Sequence, residues 1–157
     1  MSTAPERVVV IGVGNVLGGD DAAGLLVARR VRERVAGIDV VEHEGDPTGL
    51  VELLDGAGAA VIVDALRSGS PPGTVRRFDA GAAPLPVRLH GSTSTHAVGL
   101  ADAIELARTL GRLPARLVVI GIEGERFTAG AAHTPAVEAG IAAATAAVLA
   151  ELTALRR

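Results

Sequence analysis

The sequence contains no cysteine, so disulfide bonds, thiolate metal sites and cysteine nucleophiles are all excluded. Its 15 basic residues are all arginine, and the absence of lysine excludes a Walker-type phosphate-binding loop and a lysine Schiff base. There is no Trp or Tyr and there are only two Phe, which leaves almost no aromatic side chains on which nucleic-acid bases can stack. These absences remove several classes of enzyme and argue against a nucleic-acid-binding protein.

Charge and hydropathy point to a globular protein without a polyanionic partner. The net charge is −3, so no nucleic-acid partner is expected. No stretch reaches about 18 apolar residues, so we expect no membrane-spanning segment. No basic region precedes the first apolar run, so we expect no secretory signal. A length of 157 residues fits one domain over residues 1–157, and we expect a cytoplasmic monomer.

Apolar runs of strand length alternate with segments of helix length along the chain. Predicted strands cover residues 7–12, 38–42, 59–64, 74–78 and 116–122, and predicted helices cover 20–35, 47–54 and 95–111. A last helix is predicted from Pro135 onward with Thr134 as its cap, and Asp46 is expected to cap the helix that starts at Pro47. This alternation predicts a three-layer α/β sandwich with a mainly parallel sheet, in which residues 74–78 form a more exposed, antiparallel edge strand.

The first predicted strand runs into a glycine-rich loop, Gly12-Val13-Gly14-Asn15, and the loop ends in two acids, Asp20 and Asp21. The dinucleotide-binding fingerprint requires a third glycine at position 17, where this chain has leucine, and carboxylates at the helix start would repel a pyrophosphate. A nucleotide-binding module therefore remains only an alternative. Adjacent helical residues point about 100° apart, so we expect one acid to cap the helix and the other to face the sheet edge, unless both are capping and first-turn acids.

Two further candidate residues follow in the chain. Asp64 closes the third predicted strand, and the cost of burying an unpaired acid predicts a position near the carboxyl edge of the sheet, where such sheets bind ligands. Its alternative role is to shape the loop that runs to Ser70. If the first and third strands are neighbours, Asp21 and Asp64 meet across one crevice. His96 starts a helix, where a lone histidine is usually a surface residue, but one imidazole with two carboxylates suits a divalent metal with open positions.

The remaining histidine and serine residues carry weaker signals. His43, His90 and His133 are interpreted as loop or strand-end residues. Ser92 and Ser94 lie near His96, but the chain has no G-x-S-x-G nucleophile elbow, which argues against a Ser–His–Asp triad.

Taken in order, the motifs of this chain resemble those of the hydrogenase maturation endopeptidases, which process the large subunit of nickel–iron hydrogenases. The resemblance runs nearly end to end and rests on five segments. They are Gly12-Val13-Gly14-Asn15 with Asp20-Asp21 and Gly24, Val63-Asp64-Ala65, Pro72-Gly73-Thr74-Val75, His96-Ala97-Val98-Gly99-Leu100-Ala101, and Thr134-Pro135-Ala136-Val137-Glu138.

The resemblance implies an α/β/α sandwich with a five-stranded, mainly parallel sheet and one antiparallel strand. It also implies that Asp21, Asp64 and His96 form the metal-binding and catalytic trio, although some members have Glu where this chain has Asp21. The implied activity is one endoproteolytic cut that removes a C-terminal extension from the nickel-loaded large-subunit precursor. The implied metal is Ni²⁺ supplied by that precursor, with another divalent metal as a possible substitute.

The mechanism expected from these residues is hydrolysis by a bound water. A divalent metal would polarise the scissile carbonyl or lower the pKa of that water, and one carboxylate would act as general base if the metal does not hold both. Asn15 is expected to orient the substrate backbone, or else to be a turn residue in left-handed conformation. Gly12 and Gly14 are expected to allow close backbone approach to the substrate. The last alternative is a catalytically idle binding domain that uses loops 65–73 and 80–94 as an interface.

Overall fold

A computed structural model describes residues 6–86 and 95–155 of the chain, with the backbone alone at residues 95–99. The strands are β1 (Val8–Val13), β2 (Asp39–His43), β3 (Ala59–Leu66), β4 (Val75–Asp79) and β5 (Arg116–Glu123). The helices are α1 (Ala23–Arg32), α2 (Pro47–Leu54), α3 (Thr95–Thr109) and α4 (Pro135–Leu155), and a 3₁₀ turn, Gly19–Ala22, precedes α1. Residues 87–94 of the predicted long loop lie outside the described residues.

The five strands form one sheet in the order β2-β1-β3-β5-β4. Three pairs are parallel, and β4 pairs antiparallel with β5 at the edge. The central strands β1, β3 and β5 are almost wholly buried, as expected for β-branched runs covered on both faces. The predicted α/β/α fold with one antiparallel edge strand is therefore confirmed.

Helices cover both faces of the sheet. On one face, α2 and α3 bury Leu50, Leu54 and Ile104 against strand residues such as Ile11 and Ile62. On the other face, a second cluster joins α1 and α4 to the sheet through Val27, Val31, Ile141, Val148, Val10, Val61 and Ile120. These two cores hold the strand ends in place, and the candidate site lies at one of those ends.

Local signals set several helix boundaries as predicted. Asp46 caps α2, because its carboxylate accepts the Gly49 N–H at 2.8 Å, and Pro47 occupies the first turn. Pro135 begins α4 as expected. The predicted helix over residues 20–35 is shorter than expected, because its first turn is 3₁₀ and α1 ends at Arg32.

Helix α4 changes one expectation about membranes. It is 21 residues long, with a mean hydropathy of 1.5 over its most apolar window, and it meets the length and composition criteria for a membrane span. The sequence analysis did not single this helix out, because it considered only uninterrupted apolar runs. Core helices of soluble proteins meet the same criteria, and this helix packs its apolar stripe, including Val137 and Ile141, against the sheet.

Candidate functional site

The sheet has a topological switch point between β1 and β3. The chain leaves β1 through α1 to reach β2 on one side, and then returns through α2 to β3 on the other side of β1. Pairing between β1 and β3 ends at Gly12 and Val63, whereas β3 continues beside β5 as far as Leu66 and Glu123. In open α/β sheets such a point leaves a crevice at the carboxyl ends of the strands, and Asp64 is the first β3 residue beyond the shared ladder.

Asp64 is a buried acid inside β3. It is only 2% exposed, and its Oδ1 accepts the Ala65 N–H at 2.8 Å. Burial, and after it the negative charge of Asp21, raises the pKa of Asp64 well above its ordinary range. The expected position near the sheet edge is confirmed, although the strand continues two residues past it. The Asp64 carboxylate therefore favours binding of a proton or a cation.

Asp21 faces Asp64 from the 3₁₀ turn. The structure confirms that β1 and β3 are neighbours and that the two carboxylates lie close enough for their charges to interact. Asp21 is 8% exposed, and its backbone is fixed by the glycine loop, because its N–H donates to Gly18 O at 3.1 Å and its carbonyl accepts the Asn15 N–H at 3.2 Å. Two acids far apart in sequence thus share one crevice.

Asp20 has a different role from the one expected. Neither the 3₁₀ turn nor α1 receives a side-chain cap, so the prediction that one of the adjacent acids caps the helix is wrong. The buried Asp20 carboxylate instead accepts the backbone N–H groups of Glu125, Arg126 and Thr134 at 2.7–2.8 Å, and the Thr134 hydroxyl at 3.2 Å. Burial opposes ionisation of Asp20, but these hydrogen bonds outweigh it and lower its pKa. Thr134 accordingly directs its hydroxyl to Asp20.

Glu123 is a buried acid that the sequence analysis did not select. It ends β5, is 2% exposed, and its Oε1 accepts the N–H groups of Ser68 and Gly69 at 2.7 and 2.8 Å. Its Oε2 accepts the Ser68 hydroxyl at 2.8 Å. The signal that identified Asp64, an acid directly after a buried apolar strand, was also present at Glu123. Its carboxylate fixes the loop that follows Asp64.

The glycine loop brings its own backbone close to α1. A side-chain carbon at Gly12 would lie 2.3 Å from Gly24 O, and one at Gly14 would lie 2.1 Å from Asp21 O. Both glycines are therefore needed for packing within the chain, and their contact with substrate remains a prediction.

Asn15 forms a local turn, because its Oδ1 accepts the Leu17 N–H at 3.0 Å. Within the described residues every residue with positive φ is a glycine, so Asn15 is not left-handed. The next two side chains, Val16 and Leu17, are 53% and 66% exposed. A cavity of about 220 Å³ lies beside this loop, and Asn15, Val16 and His43 contribute to its lining. The loop therefore presents apolar side chains to solvent next to the crevice.

The predicted third ligand, His96, lies at the second position of α3, and its side chain is outside the part of the chain that the structure describes. Among the described side chains, no group of three His, Asp or Glu residues is placed to hold a metal ion. The metal role of Asp21, Asp64 and His96 therefore remains a prediction. The two buried carboxylates do fit a divalent cation chemically, because carboxylate oxygens are hard donors that attract such an ion.

The other histidines have local partners. His43 Nδ1 accepts the Gly45 N–H at 2.8 Å, and its Nε2 lies 3.3 Å from Asp46 Oδ1. His133 Nε2 lies 2.6 Å from Glu138 Oε2. These contacts agree with the interpretation of both as loop or strand-end residues, and His90 lies outside the described residues.

Comparison with known proteins gives a consistent result. The family model described as "Hydrogenase maturation protease" matches residues 26–151. The hydrogenase 2 maturation protease of Escherichia coli (strain K12) is 33% identical over 150 residues, which cover 93% of this chain and 90% of that protein. The hydrogenase expression/formation protein HupD of Rhodobacter capsulatus is 31% identical over 156 residues, covering 96% of this chain and 73% of that protein.

Solved structures agree in fold. The hydrogenase maturating endopeptidase HybD from E. coli matches with a TM-score of 0.77 at 30% identity, over 94% of this chain and 92% of that one. The [NiFe] hydrogenase maturation protease HybD from Thermococcus kodakarensis matches with a TM-score of 0.69 at 26% identity, over 93% of this chain and 98% of that one.

Proposed function

Because the chain belongs to the hydrogenase maturation protease family and is therefore a peptidase, we propose that it removes the C-terminal extension of a nickel–iron hydrogenase large-subunit precursor. We further propose that Asp21, Asp64 and His96 engage the nickel of that precursor, so that only a loaded precursor is cut. The nickel is then part of the substrate. Gly12, Gly14 and Asn15 are proposed to line the path of the peptide.

One observation carries this proposal. Asp64 is buried at the switch point with the charge of Asp21 beside it, an arrangement that raises its pKa and costs folding free energy at neutral pH. A divalent cation in the crevice would offset that cost by pairing with both charges. Open α/β sheets bind ligands at such a switch point, so an acid that lowers stability there supports a functional role for Asp64.

The proposed chemistry is addition of water to the scissile peptide carbonyl. The water oxygen forms a bond to the carbonyl carbon, one water proton passes to a carboxylate oxygen, and the leaving amine takes a proton as the C–N bond breaks. A carboxyl group whose pKa is raised suits both the acceptance and the return of that proton. We propose Asp64 or Asp21 as this general base, whichever the ion leaves uncoordinated.

A divalent ion at these residues would supply Lewis acidity, either at the scissile carbonyl or at a bound water. Two acid side chains and one imidazole form a ligand set that suits Ni²⁺ and related ions and leaves positions open.

The decisive test is cleavage of a purified precursor. Nickel-loaded and nickel-free large-subunit precursors are incubated with the protein, and loss of mass at the C-terminus is followed by mass spectrometry. We expect cleavage of the loaded precursor by the wild type, and none by Asp64→Asn or His96→Ala. Asp102→Asn, an exposed acid on α3, is the matched control. An intact precursor, under conditions in which a control protease of the family cuts it, would leave only a binding role.

Metal binding is tested separately by calorimetric titration with Ni²⁺. We expect saturable binding by the wild type and loss of binding in His96→Ala. The same titration with a nucleotide tests the alternative that the chain is a nucleotide-binding module. Nucleotide binding that is the same in the wild type and in His96→Ala would contradict our proposal.

A further inference from the structure

The end of the glycine loop exposes two adjacent aliphatic side chains. Val16 and Leu17 are 53% and 66% exposed, and only two other large apolar side chains among the described residues, Leu106 and Leu110 of α3, are exposed to a similar degree. One exposed leucine is ordinary on a protein surface, whereas neighbouring apolar side chains beside a crevice are typical of a contact surface. We call Val16 and Leu17 the apolar tip.

Hydrogen bonds fix the main chain of the apolar tip. The Leu17 N–H donates to Asn15 Oδ1 at 3.0 Å, and the Leu17 carbonyl accepts the Gly130 N–H at 2.6 Å. The Gly18 N–H donates to Asn15 O at 3.0 Å. Because these bonds hold the main chain on both sides of Leu17, the exposure of the side chains is built into the fold. A surface that is ordered before binding loses less conformational entropy when a partner binds.

The apolar tip lies close to the candidate catalytic crevice. The Asp21 N–H donates to Gly18 O at 3.1 Å, and a bond between residues i and i+3 brings their Cα atoms within about 7 Å. Leu17 precedes Gly18 by one residue, so its Cα atom lies within about 11 Å of that of Asp21. An extended peptide advances about 3.3 Å per residue. A side chain within about three residues of a bond held at Asp21 would therefore reach the apolar tip.

The cavity of about 220 Å³ beside the loop gives the apolar tip depth. Val16 and Leu25 contribute apolar surface to its lining, and the charges of Arg29 and Glu42, which also line it, are paired at 2.9 Å. Glu44, a further carboxylate of the lining, is exposed and disfavours an acidic ligand. Burial of apolar surface contributes more to binding than an ion pair with one solvated carboxylate. The cavity therefore suits an uncharged, apolar side chain.

We propose that the apolar tip and the adjoining cavity bind an apolar side chain of the precursor segment next to the scissile bond. This inference rests on the proposed function and adds a side-chain preference to it. The precursor is the occupant because the segment to be cut has to lie in the crevice, and the apolar tip is joined to that crevice by the hydrogen bonds of Asn15 and Gly18 to Asp21. Val16 and Leu17 then determine specificity and take no part in the chemistry.

Steady-state cleavage of nickel-loaded precursor tests the inference. In Val16→Ser/Leu17→Ser we expect KM to rise about tenfold or more, because burial of one aliphatic side chain corresponds to a factor of this size in affinity. We expect kcat to change less than about twofold, since the lost contact is the same in the ground state and the transition state. Val16→Ile/Leu17→Met keeps the apolar bulk and is expected to retain the wild-type KM.

Leu106→Ser/Leu110→Ser is the matched control. It also removes two exposed aliphatic side chains, which are 43% and 51% exposed. Both lie at least about 15 Å from His96 along the axis of α3, so we expect an unchanged KM. Equal melting temperatures of the wild type and Val16→Ser/Leu17→Ser show that the rise in KM does not arise from unfolding. An equal rise of KM in the control would overturn the inference.

The results separate the two proposals. If the wild type does not cut the precursor, the proposed function fails and the inference fails with it. If the wild type cuts it and Val16→Ser/Leu17→Ser retains the wild-type KM, only the inference is overturned. Analytical ultracentrifugation tests a second copy of this chain as the occupant. A wild type that dimerises and a Val16→Ser/Leu17→Ser variant that is monomeric would assign the apolar tip to self-association and overturn the inference.

Substitutions in the precursor identify the bound side chain. Each apolar residue within about three positions of the cut is changed to Ser. We expect one such change to raise KM for the wild type and to add little in Val16→Ser/Leu17→Ser, because both changes remove the same contact. Additive effects at every position would contradict the inference. If a basic residue of the precursor shows this coupling instead, and Glu44→Gln reproduces it, the cavity recognises charge and the inference of an apolar ligand fails.

Discussion

At the scale of single residues, three acids close together have different environments. Asp20 is fully hydrogen-bonded and its pKa is lowered, whereas Asp64 is buried beside another negative charge and its pKa is raised. Hydrogen-bond donors stabilise a buried carboxylate, and a second carboxylate destabilises it. Asp20, whose charge is stabilised by hydrogen-bond donors, therefore has a structural role. Asp64, whose charge has too few donors to stabilise it, marks the candidate site.

Asp64→Asn is expected to stabilise the metal-free protein at neutral pH. The amide keeps an acceptor for the Ala65 N–H and carries no charge to be repelled by Asp21. The folded-state pKa of Asp64 lies above its ordinary value of 3.8. The wild type therefore loses stability as the pH rises from about 3.8 through the folded-state pKa. We expect a gain on the order of 1 kcal/mol at pH 7, the scale on which a buried polar group without compensating hydrogen bonds destabilises a protein.

Urea unfolding in the presence of a chelator measures this gain at neutral pH and near pH 4. The difference between Asp64→Asn and the wild type should shrink at the lower pH, which approaches the ordinary pKa of 3.8 that the carboxyl has in the unfolded state. Asp102→Asn should show no such trend. A variant that is less stable than the wild type at neutral pH would contradict this account of the site.

The sequence predicted Asp21 and Asp64 as site residues because both follow the carboxyl end of a predicted strand, and the strand order decides which of these residues meet. The sequence did not predict the role of Asp20, whose partners lie 105 to 114 residues further along the chain. No local pattern specifies such a contact. His96 remains a prediction from sequence and family resemblance.

At the scale of elements, local signals located most boundaries within two residues. Asp46 and Pro47 specify the start of α2, and unbroken apolar runs specify β1, β3 and β5. Two departures have tertiary causes. Residues 19–22 form a 3₁₀ turn because Asp20 is held by the β5–α4 loop, and β3 extends to Leu66 because β5 continues to pair with it.

Gly12→Ala is expected to displace α1 from the sheet and destabilise the protein by about 2 kcal/mol or more. The new carbon would lie 2.3 Å from Gly24 O and 2.6 Å from Ala28 Cβ, and neither is the end of a flexible side chain. Because α1 continues directly from the turn that carries Asp21, we also expect a loss of precursor cleavage. Urea unfolding and the mass-spectrometric assay measure the two effects.

Gly56→Ala is the control for this substitution. No atom lies within 4 Å of its new carbon, so only the positive φ of 78° at this exposed glycine opposes the change, at a cost of about 1 kcal/mol. We expect a smaller effect on stability than that of Gly12→Ala and none on cleavage. Equal losses in the two variants would show that the close approach at Gly12 is not what positions the site.

At the scale of the whole molecule, the candidate site is assembled from both halves of the chain. The glycine loop and the 3₁₀ turn come from the first half, whereas the loop after β5 and the start of α4 come from the second. The strand order 2-1-3-5-4 brings these segments to one edge. The alternation of elements predicts this class of sheet, but the contacts between the halves depend on buried side chains such as Asp20.

Asp20→Asn is therefore expected to loosen the connection between the two halves. The variant loses a charged acceptor of four hydrogen-bond donors, and we expect a loss of about 2–4 kcal/mol at pH 7. Because the folded-state pKa of Asp20 lies below its ordinary value of 3.8, the wild-type advantage is present above that value and is lost as pH falls through the lowered pKa.

Urea unfolding from neutral pH to below pH 4, with Asp55→Asn as an exposed control, measures the difference between variant and wild type. That difference should narrow as the pH falls, because the Asp20 carboxylate of the wild type then becomes protonated. Amide hydrogen exchange locates the effect: the N–H groups of Glu125, Arg126 and Thr134 should exchange faster in Asp20→Asn, while the Gly49 N–H at the α2 cap should not change. Uniformly faster exchange, at Gly49 as much as at Arg126, would show that Asp20 contributes only to global stability and does not hold the β5–α4 loop against the turn that carries Asp21.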